Sequence, residues 1–172
     1  MKPLLLAMLS SSLAVGGYSA GLHWNATPSM PLGLWRVAPL QGSPSRQQAV
    51  AICLPEAAAR LGRERGYLDG GDCPGKSEVL IKPVAAIPGD QVTVSDDGIS
   101  INGSLVADSK PLPRDDIGRP LKSTDKGVYV VGTDEVWIIS SRDPRSYDSR
   151  YGGPVKQTDI RGVATPVLVV SK

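Results

Sequence analysis

The pattern of apolar and polar positions divides the chain into one long apolar segment followed by a series of short strands. Residues 3–22 run for twenty positions without a charged side chain, directly after Lys2. As a helix, this segment would be about 30 Å long, which matches the hydrocarbon core of a bilayer. We therefore expect an N-terminal transmembrane anchor over residues 1–22 and one folded domain over residues 23–172.

A cleaved signal peptide is the alternative interpretation of the same segment, with a weak cleavage site at residues 19–21. We favour an uncleaved anchor, because the first candidate for chemistry, Ser29, follows with almost no linker. Lys2 is the only charge before the apolar segment, so the positive-inside rule places the N-terminus in the cytoplasm and the domain outside.

Downstream, short apolar runs separated by turn residues predict a mostly antiparallel β-domain. Asn102-Gly103 is a strong signal for a two-residue hairpin. Residues 55–66 form the one clear helical pattern, with Pro55 suited to the first helical position and Gly66 to the C-terminal cap. The expected strands are residues 32–39, 49–54, 79–84, 92–94, 99–101, 105–106, 128–131, 136–140 and 163–170. We expect a coiled, barrel-like antiparallel sheet with a small helical cap, and an exposed loop or flap over the polar residues 109–127.

Composition agrees with this fold class and excludes some functions. The 19 glycines and 15 prolines suit short strands joined by turns, and phenylalanine is absent. The net charge is only +2, without a long basic run, so nucleic acid is not an expected partner. One histidine and two cysteines are too few for a structural zinc site, and we expect neither a metal nor a cofactor.

The two cysteines, Cys53 and Cys73, flank the predicted helix. In an exported domain they are expected to pair, which would stabilise the fold by about 3 kcal/mol in the chain-entropy model. The alternative is two free buried thiols. With the pairing, residues 54–76 become a disulfide-stapled cap insertion over the sheet.

Ser29 is the first candidate for chemistry. It lies between Pro28 and Pro31, which restrict the backbone on both sides, as a rigidly held nucleophile beside a membrane would require. Taken alone, the segment is equally compatible with a turn that leaves a helix.

Lys82 is the second candidate, because it interrupts an otherwise apolar strand over residues 79–84. A buried lysine often loses its proton, and a neutral lysine can accept the proton of a serine hydroxyl. The alternative is a lysine on an edge strand with its ammonium group in water.

Four motifs occur in a fixed order along the chain. They are Ser29-Met30-Pro31, then Lys82 followed after five residues by Pro88-Gly89-Asp90, then Ile101-Asn102-Gly103, and finally Ser146-Tyr147-Asp148-Ser149-Arg150-Tyr151. Together they resemble the type I signal peptidases, the S26 family of serine peptidases with a Ser–Lys dyad. The small size, the start Asn25-x-Thr27-x-Ser29 and the cysteine-bearing insertion resemble the conjugative transfer branch, called TraF. Pro83 and Ser141 depart from the common signal peptidase pattern.

The resemblance implies a role for six residues and a signal peptidase fold. Ser29 would be the nucleophile and Lys82 the general base. The Thr27 hydroxyl and the Ser29 backbone N–H would form the oxyanion hole. Ser146 would orient the Lys82 amine, and Asp148 and Arg150 would pair and support the site.

The resemblance also implies partners and a location. The substrate would be a membrane-tethered pilin precursor, bound extended, and the protein would be a single-pass protein of the bacterial inner membrane with its catalytic domain in the periplasm. Further partners would be the lipid bilayer and other conjugative transfer proteins.

Four alternatives remain open at this point. They are a housekeeping signal peptidase, a non-catalytic periplasmic assembly factor, a self-cleaving repressor-type domain in the cytosol, and a Ser-His-Asp mechanism through His23.

Overall fold

The computed structural model describes residues 21–170, which form two antiparallel β-sheets and two short α-helices. The strands are β1 (Leu22–Asn25), β2 (Leu32–Ala38), β3 (Ala49–Ile52), β4 (Leu80–Ala86), β5 (Gln91–Ser95), β6 (Gly98–Ile101), β7 (Ser104–Leu105), β8 (Gly127–Val130), β9 (Glu135–Ile138), β10 (Val155–Lys156) and β11 (Ile160–Val170). The helices are α1 (Glu56–Arg65) and α2 (Ser149–Gly152). The larger sheet has the order β1-β2-β11-β3-β4-β9-β10, and the smaller has the order β7-β6-β5-β8.

The predicted mostly-β, antiparallel class is confirmed, but the larger sheet does not close into a barrel. Its edge strands, β1 and β10, pair only with β2 and β9 among the described strands. Both edge strands are short, with four and two residues, which limits the unpaired backbone that each one exposes.

Strand β11 joins the two parts of the larger sheet that matter for the site. It pairs with β2 on one edge and with β3 on the other, and β3 pairs in turn with β4. At Gly33 in β2, an added Cβ would stand 2.2 Å from the Leu168 carbonyl oxygen, so glycine permits the close approach of β11. The sheet thereby holds the start of β2 and the middle of β4 in a fixed relation.

Two of the apolar clusters in the core lie on either side of β9. Alternate residues of a strand face opposite sides, so Val136 and Ile138 pack under α1 with residues of β3 and β4, whereas Trp137 packs against the smaller sheet. Trp137 contacts Tyr129 of β8 with its ring centroid 5.5 Å away. The strand that is shared between the clusters therefore fixes the smaller sheet onto the larger one.

The helical cap forms as predicted, with its boundaries shifted by one residue. Pro55 is the N-cap rather than the first helical residue, and Gly66 ends α1 in the left-handed conformation, with φ at 75°. Cys53 and Cys73 form a disulfide that closes the cap onto the end of β3, so the predicted pairing is confirmed.

The predicted anchor lies almost wholly outside the described residues. Leu22, its last residue, is the first residue of β1, so a strand precedes Ser29 although the expected strands began only at residue 32. None of the helices in the described part of the chain is long and apolar enough to cross a bilayer.

Candidate active site

Ser29 lies in the loop that connects β1 to β2, and only 2% of its surface is exposed. Its Oγ is 3.0 Å from Thr27 Oγ1. Thr27 Oγ1 in turn donates to Asn25 Oδ1 at 3.1 Å. Since a hydroxyl carries one proton, Thr27 accepts the proton of Ser29 in this arrangement.

Asn25, the last residue of β1, holds the loop around Ser29. Its buried Nδ2 donates to the carbonyl oxygens of Thr27, Met30 and Pro31 at 3.0, 3.1 and 3.0 Å. The loop includes two prolines without an N–H group, so it cannot be held by a regular backbone ladder. A side chain supplies the missing donors instead.

Lys82 occupies the third position of β4, and its residue surface is 3% exposed. Its Nζ donates to Ser146 Oγ at 2.8 Å, which is the hydrogen bond that the motif comparison implied. Burial lowers the pKa of the Lys82 ammonium from 10.5 to about 8, although the nearby Asp148 carboxylate opposes this shift. About a tenth of the lysine would then be neutral at pH 7.

A cleft of about 430 Å³ brings these groups together. Its lining includes four of the predicted site residues, Thr27, Ser29, Lys82 and Ser146. The rest of the lining comes from the cap, through residues such as Tyr67, from the polar loop over residues 106–126, and from neighbours of the four site residues, such as Leu80 and Tyr147. The expected flap therefore contributes one wall of the cleft.

Ser29 and Lys82 both line this cleft, and within the described part of the chain no hydrogen bond joins their side chains. The Ser29 hydroxyl contacts Thr27, and the Lys82 amine contacts Ser146. In hydrolases without substrate, catalytic hydrogen bonds are often long and tighten only when substrate binds. The geometry therefore brings the two groups into one cleft, with each side chain hydrogen-bonded to a different neighbour.

Asp148 and Arg150 form an ion pair beside the cleft, with Nε and Oδ1 2.8 Å apart and both side chains fully buried. All five guanidinium N–H groups are used, on the Asp148 carboxylate and on the carbonyl oxygens of Asp108, Pro144 and Ser140. Asp148 also caps α2 by accepting from the Arg150 backbone N–H. Full pairing is what makes a buried ion pair tolerable, and here it fixes the loop that carries Ser146.

His23 does not line the cleft. It lies on β1 opposite Trp35, where burial lowers its pKa and Glu78 partly opposes the shift. Among residues 21–170, no group of three or more His, Cys, Asp or Glu side chains is arranged to hold a metal ion.

Two residues of the site, Asn25 and Ser140, received no role in the sequence analysis. Asn25 appeared there only as the first residue of the start Asn25-x-Thr27-x-Ser29. Ser140 precedes the last motif, and its hydroxyl donates to the Ser29 carbonyl oxygen at 2.5 Å across 111 positions of sequence. No local sequence pattern predicts a hydrogen bond between residues so far apart in the chain.

The family model described as "Signal peptidase, peptidase S26" matches residues 2–169. The chain belongs to this family. It is 43% identical over 175 residues to the probable conjugal transfer protein TraF of Sinorhizobium fredii, covering 97% of this chain and 90% of that protein. It is 37% identical over 158 residues to the plasmid transfer protein TraF of Escherichia coli, covering 91% of this chain and 87% of that protein.

A solved signal peptidase I from Enterococcus faecalis V583 has 21% sequence identity and a TM-score of 0.41, covering 72% of this chain and 98% of that one. In the chain described here, the serine and lysine motifs meet in one cleft, although 53 positions separate Ser29 from Lys82.

Proposed function

We propose that the chain is a membrane-anchored serine endopeptidase that uses Ser29 and Lys82 to process exported precursors. The observation that carries the proposal is the buried Lys82 amine, with its pKa lowered to about 8, in the same cleft as Ser29. The natural substrate is a pilin precursor of a conjugative transfer apparatus. The similarity to proteins named for plasmid and conjugal transfer supports this choice over housekeeping secretion.

In the acylation step, the neutral Lys82 amine accepts the proton of the Ser29 hydroxyl while Oγ attacks the scissile carbonyl carbon. The carbonyl π electrons move to oxygen and form a tetrahedral intermediate. The intermediate collapses when the C–N bond breaks, and the Lys82 ammonium gives its proton to the leaving amine. An ester between Ser29 and the upstream part of the substrate remains.

The negative oxygen of the intermediate is stabilised by the Ser29 backbone N–H and the Thr27 hydroxyl. Such donors are typically worth about 3 kcal/mol each when they are aimed at the developing charge. Thr27 must release Asn25 Oδ1, its present acceptor at 3.1 Å, before it can donate to the substrate. The Ser29 hydroxyl, whose proton Thr27 accepts in the absence of substrate, must in addition turn that proton towards Lys82.

In the second step, the neutral Lys82 amine takes a proton from water while the water oxygen attacks the ester carbon. The tetrahedral intermediate collapses when the bond from carbon to Ser29 Oγ breaks, and the Lys82 ammonium returns the proton to Ser29, so the product leaves as a carboxylic acid and the enzyme is restored. Ser146 orients the amine through the 2.8 Å hydrogen bond without adding a charge. The Asp148–Arg150 pair supports the loop on which Ser146 lies.

The substrate binds extended, as a strand beside the first half of β4. The backbone of Val84 exchanges hydrogen bonds with Gln47 and Gln48 on the β3 side, and backbone direction alternates along a strand. The N–H and C=O of Ile81 therefore point to the opposite side. On that side β9 pairs with β4 only from Val84 onward, which leaves room for a peptide.

The apolar segment over residues 1–22 anchors the enzyme in the inner membrane, and the domain from residue 23 works in the periplasm, with residues 54–76 as its stapled cap. Ser29 follows the segment by only a few residues. Short spacing keeps the nucleophile beside substrates that are tethered to the same membrane, which raises their effective concentration.

The test uses the full chain in detergent with two substrates, a pilin precursor from the same transfer apparatus and a secretory precursor. We expect cleavage of the pilin precursor, complete loss in Ser29→Ala and in Lys82→Ala, and retention in the control His23→Ala. Activity that survives in Lys82→Ala but is lost in His23→Ala would refute the dyad. Preferential cleavage of the secretory precursor would refute the transfer substrate.

A further inference from the structure

Ser140 connects the nucleophile to the buried ion pair. It lies just after β9 with 1% of its surface exposed. Its Oγ donates to the Ser29 carbonyl oxygen at 2.5 Å, its backbone N–H donates to Asp148 Oδ2 at 3.0 Å, and its carbonyl oxygen accepts from Arg150 Nη2 at 2.7 Å. One residue thus binds Ser29 through its side chain and the ion pair through its backbone.

We propose that Ser140 is a positioning residue, through which the Asp148–Arg150 pair holds Ser29 in the orientation required for attack. The inference rests on the proposed Ser–Lys peptidase function, because it assigns the pair an effect on the nucleophile itself. The ion pair would otherwise act only on the loop around Ser146.

The direction of the hydrogen bonds supports this role. The Ser140 hydroxyl accepts from the Arg142 backbone N–H at 3.2 Å, so its single proton is free for the Ser29 carbonyl oxygen. The backbone of Ser140 cannot shift without breaking its two contacts to the ion pair, whose side chains are fully buried. The Ser140 hydroxyl is therefore held in position by the contacts between its backbone and the buried ion pair.

Fixing the Ser29 carbonyl restrains the Ser29–Met30 peptide plane. Asn25 restrains the next carbonyl, that of Met30, by donating from its Nδ2 at 3.1 Å. The Ser29–Met30 plane adjoins the Ser29 Cα, so restraining it limits rotation about ψ of Ser29 and thereby the direction in which the side chain leaves the backbone. Without Ser140, the first plane can rotate, and a displacement of about 1 Å at a reacting atom can lower a rate about 100-fold.

The neighbouring Ser141 provides a matched control. It is the same residue type, it is adjacent in sequence, and it is exposed to solvent. Ser140→Ala and Ser141→Ala remove the same hydroxyl from the two positions. The comparison separates the contact to Ser29 from general effects of losing a serine in this loop.

Two measurements on the full chain in detergent test the inference. Hydrogen–deuterium exchange reports the order of residues 25–32 whether or not the protein is active. Steady-state cleavage of the pilin precursor reports kcat and KM separately. For Ser140→Ala we expect faster exchange in residues 25–32 with unchanged exchange in β4, a kcat lowered about 10- to 100-fold, and a KM within about threefold of wild type.

Ser141→Ala should match wild type in both measurements. The inference is wrong if Ser140→Ala leaves the exchange of residues 25–32 unchanged, if it leaves kcat unchanged, or if exchange rises equally throughout the domain. If Ser140→Ala does not fold, Ser140→Thr and Ser140→Val replace it, because they share one shape and differ by the hydroxyl. The kcat of Ser140→Thr should then exceed that of Ser140→Val at equal KM. Equal kcat values for the two variants would overturn the inference.

Failure of the proposed function gives a different result. A wild-type chain that cleaves neither precursor would refute the peptidase assignment, while the exchange data would still decide whether Ser140 orders the Ser29 loop. Exchange that is insensitive to Ser140 in an active wild-type enzyme would refute only the positioning role.

Discussion

Replacing Lys82 by methionine should stabilise the protein near neutral pH, and the benefit should fade as the pH rises. Methionine has a similar length and no charge, and Lys82 is almost fully buried. The folded state holds the lysine with a pKa of about 8, whereas the unfolded chain restores the value of 10.5. The unfolded state therefore binds more protons between these values, and the wild type gains stability as pH rises through that window.

The size of the effect follows from the two pKa values. The pKa of Lys82 differs by about 2.5 between the unfolded and folded states, which lowers the unfolding free energy of the wild type by about 3 kcal/mol at pH 7. Most of this loss is relieved by pH 10.5. Between pH 7 and 9.5, the wild type should gain about 2 kcal/mol in unfolding free energy relative to Lys82→Met. The changed packing and the lost Ser146 hydrogen bond contribute equally at both pH values, so they cancel in this difference.

The assay is denaturant unfolding of both proteins in detergent at pH 7, 8 and 9.5, without reductant. Ser146→Ala is the control, since it removes the same hydrogen bond but leaves the titrating group in place. Stability curves of wild type and Lys82→Met that stay parallel from pH 7 to 9.5 would show that the lysine titrates as in water. The burial argument for a neutral base would then fail.

Three further predictions address the supports of the site. Cys53→Ser should lower the unfolding free energy by about 3 kcal/mol at unchanged kcat, because the disulfide closes the cap; a loss of kcat at unchanged stability would contradict this. Ser146→Ala should lower kcat more than it raises KM, since it misaligns the Lys82 amine; an effect confined to KM would assign Ser146 to substrate binding. Asn25→Asp keeps the shape of the side chain but removes the amide donors beside the Thr27, Met30 and Pro31 carbonyl oxygens. The kcat of this variant should fall below that of the control His23→Ala. Equal kcat values would contradict a role for Asn25 in holding the loop.

Local signals predicted the elements that local physics determines. Gly66 ended the helix as expected, and Asn102-Gly103 formed the hairpin with φ at 49° and 82°. Strand β1 was missed because its four residues lie directly before a segment rich in turn residues. The division into two sheets was also missed, since it depends on Trp137 packing against the smaller sheet, a long-range contact that strand periodicity does not encode.

The site shows the same division. Ser29, Lys82 and Ser146 could be named from motifs, and the Lys82–Ser146 contact was implied by the resemblance. Asn25 and Ser140 act through backbone carbonyl oxygens, which have no side-chain signature in a sequence. Hydrogen bonds of this kind depend on the folded path of the loop, so they are visible only in the structure.

The pH profile of single-turnover cleavage tests most directly whether Lys82 is the base for Ser29. With the Lys82 pKa at about 8, the rate should be half-maximal near that pH and should rise about 10-fold between pH 7 and 9. His23→Ala should keep this profile, and Lys82→Arg should be inactive, because arginine does not lose its proton. A profile governed by a group with a pKa of about 6.5 that disappears in His23→Ala, or full activity in Lys82→Arg, would contradict the Ser–Lys mechanism.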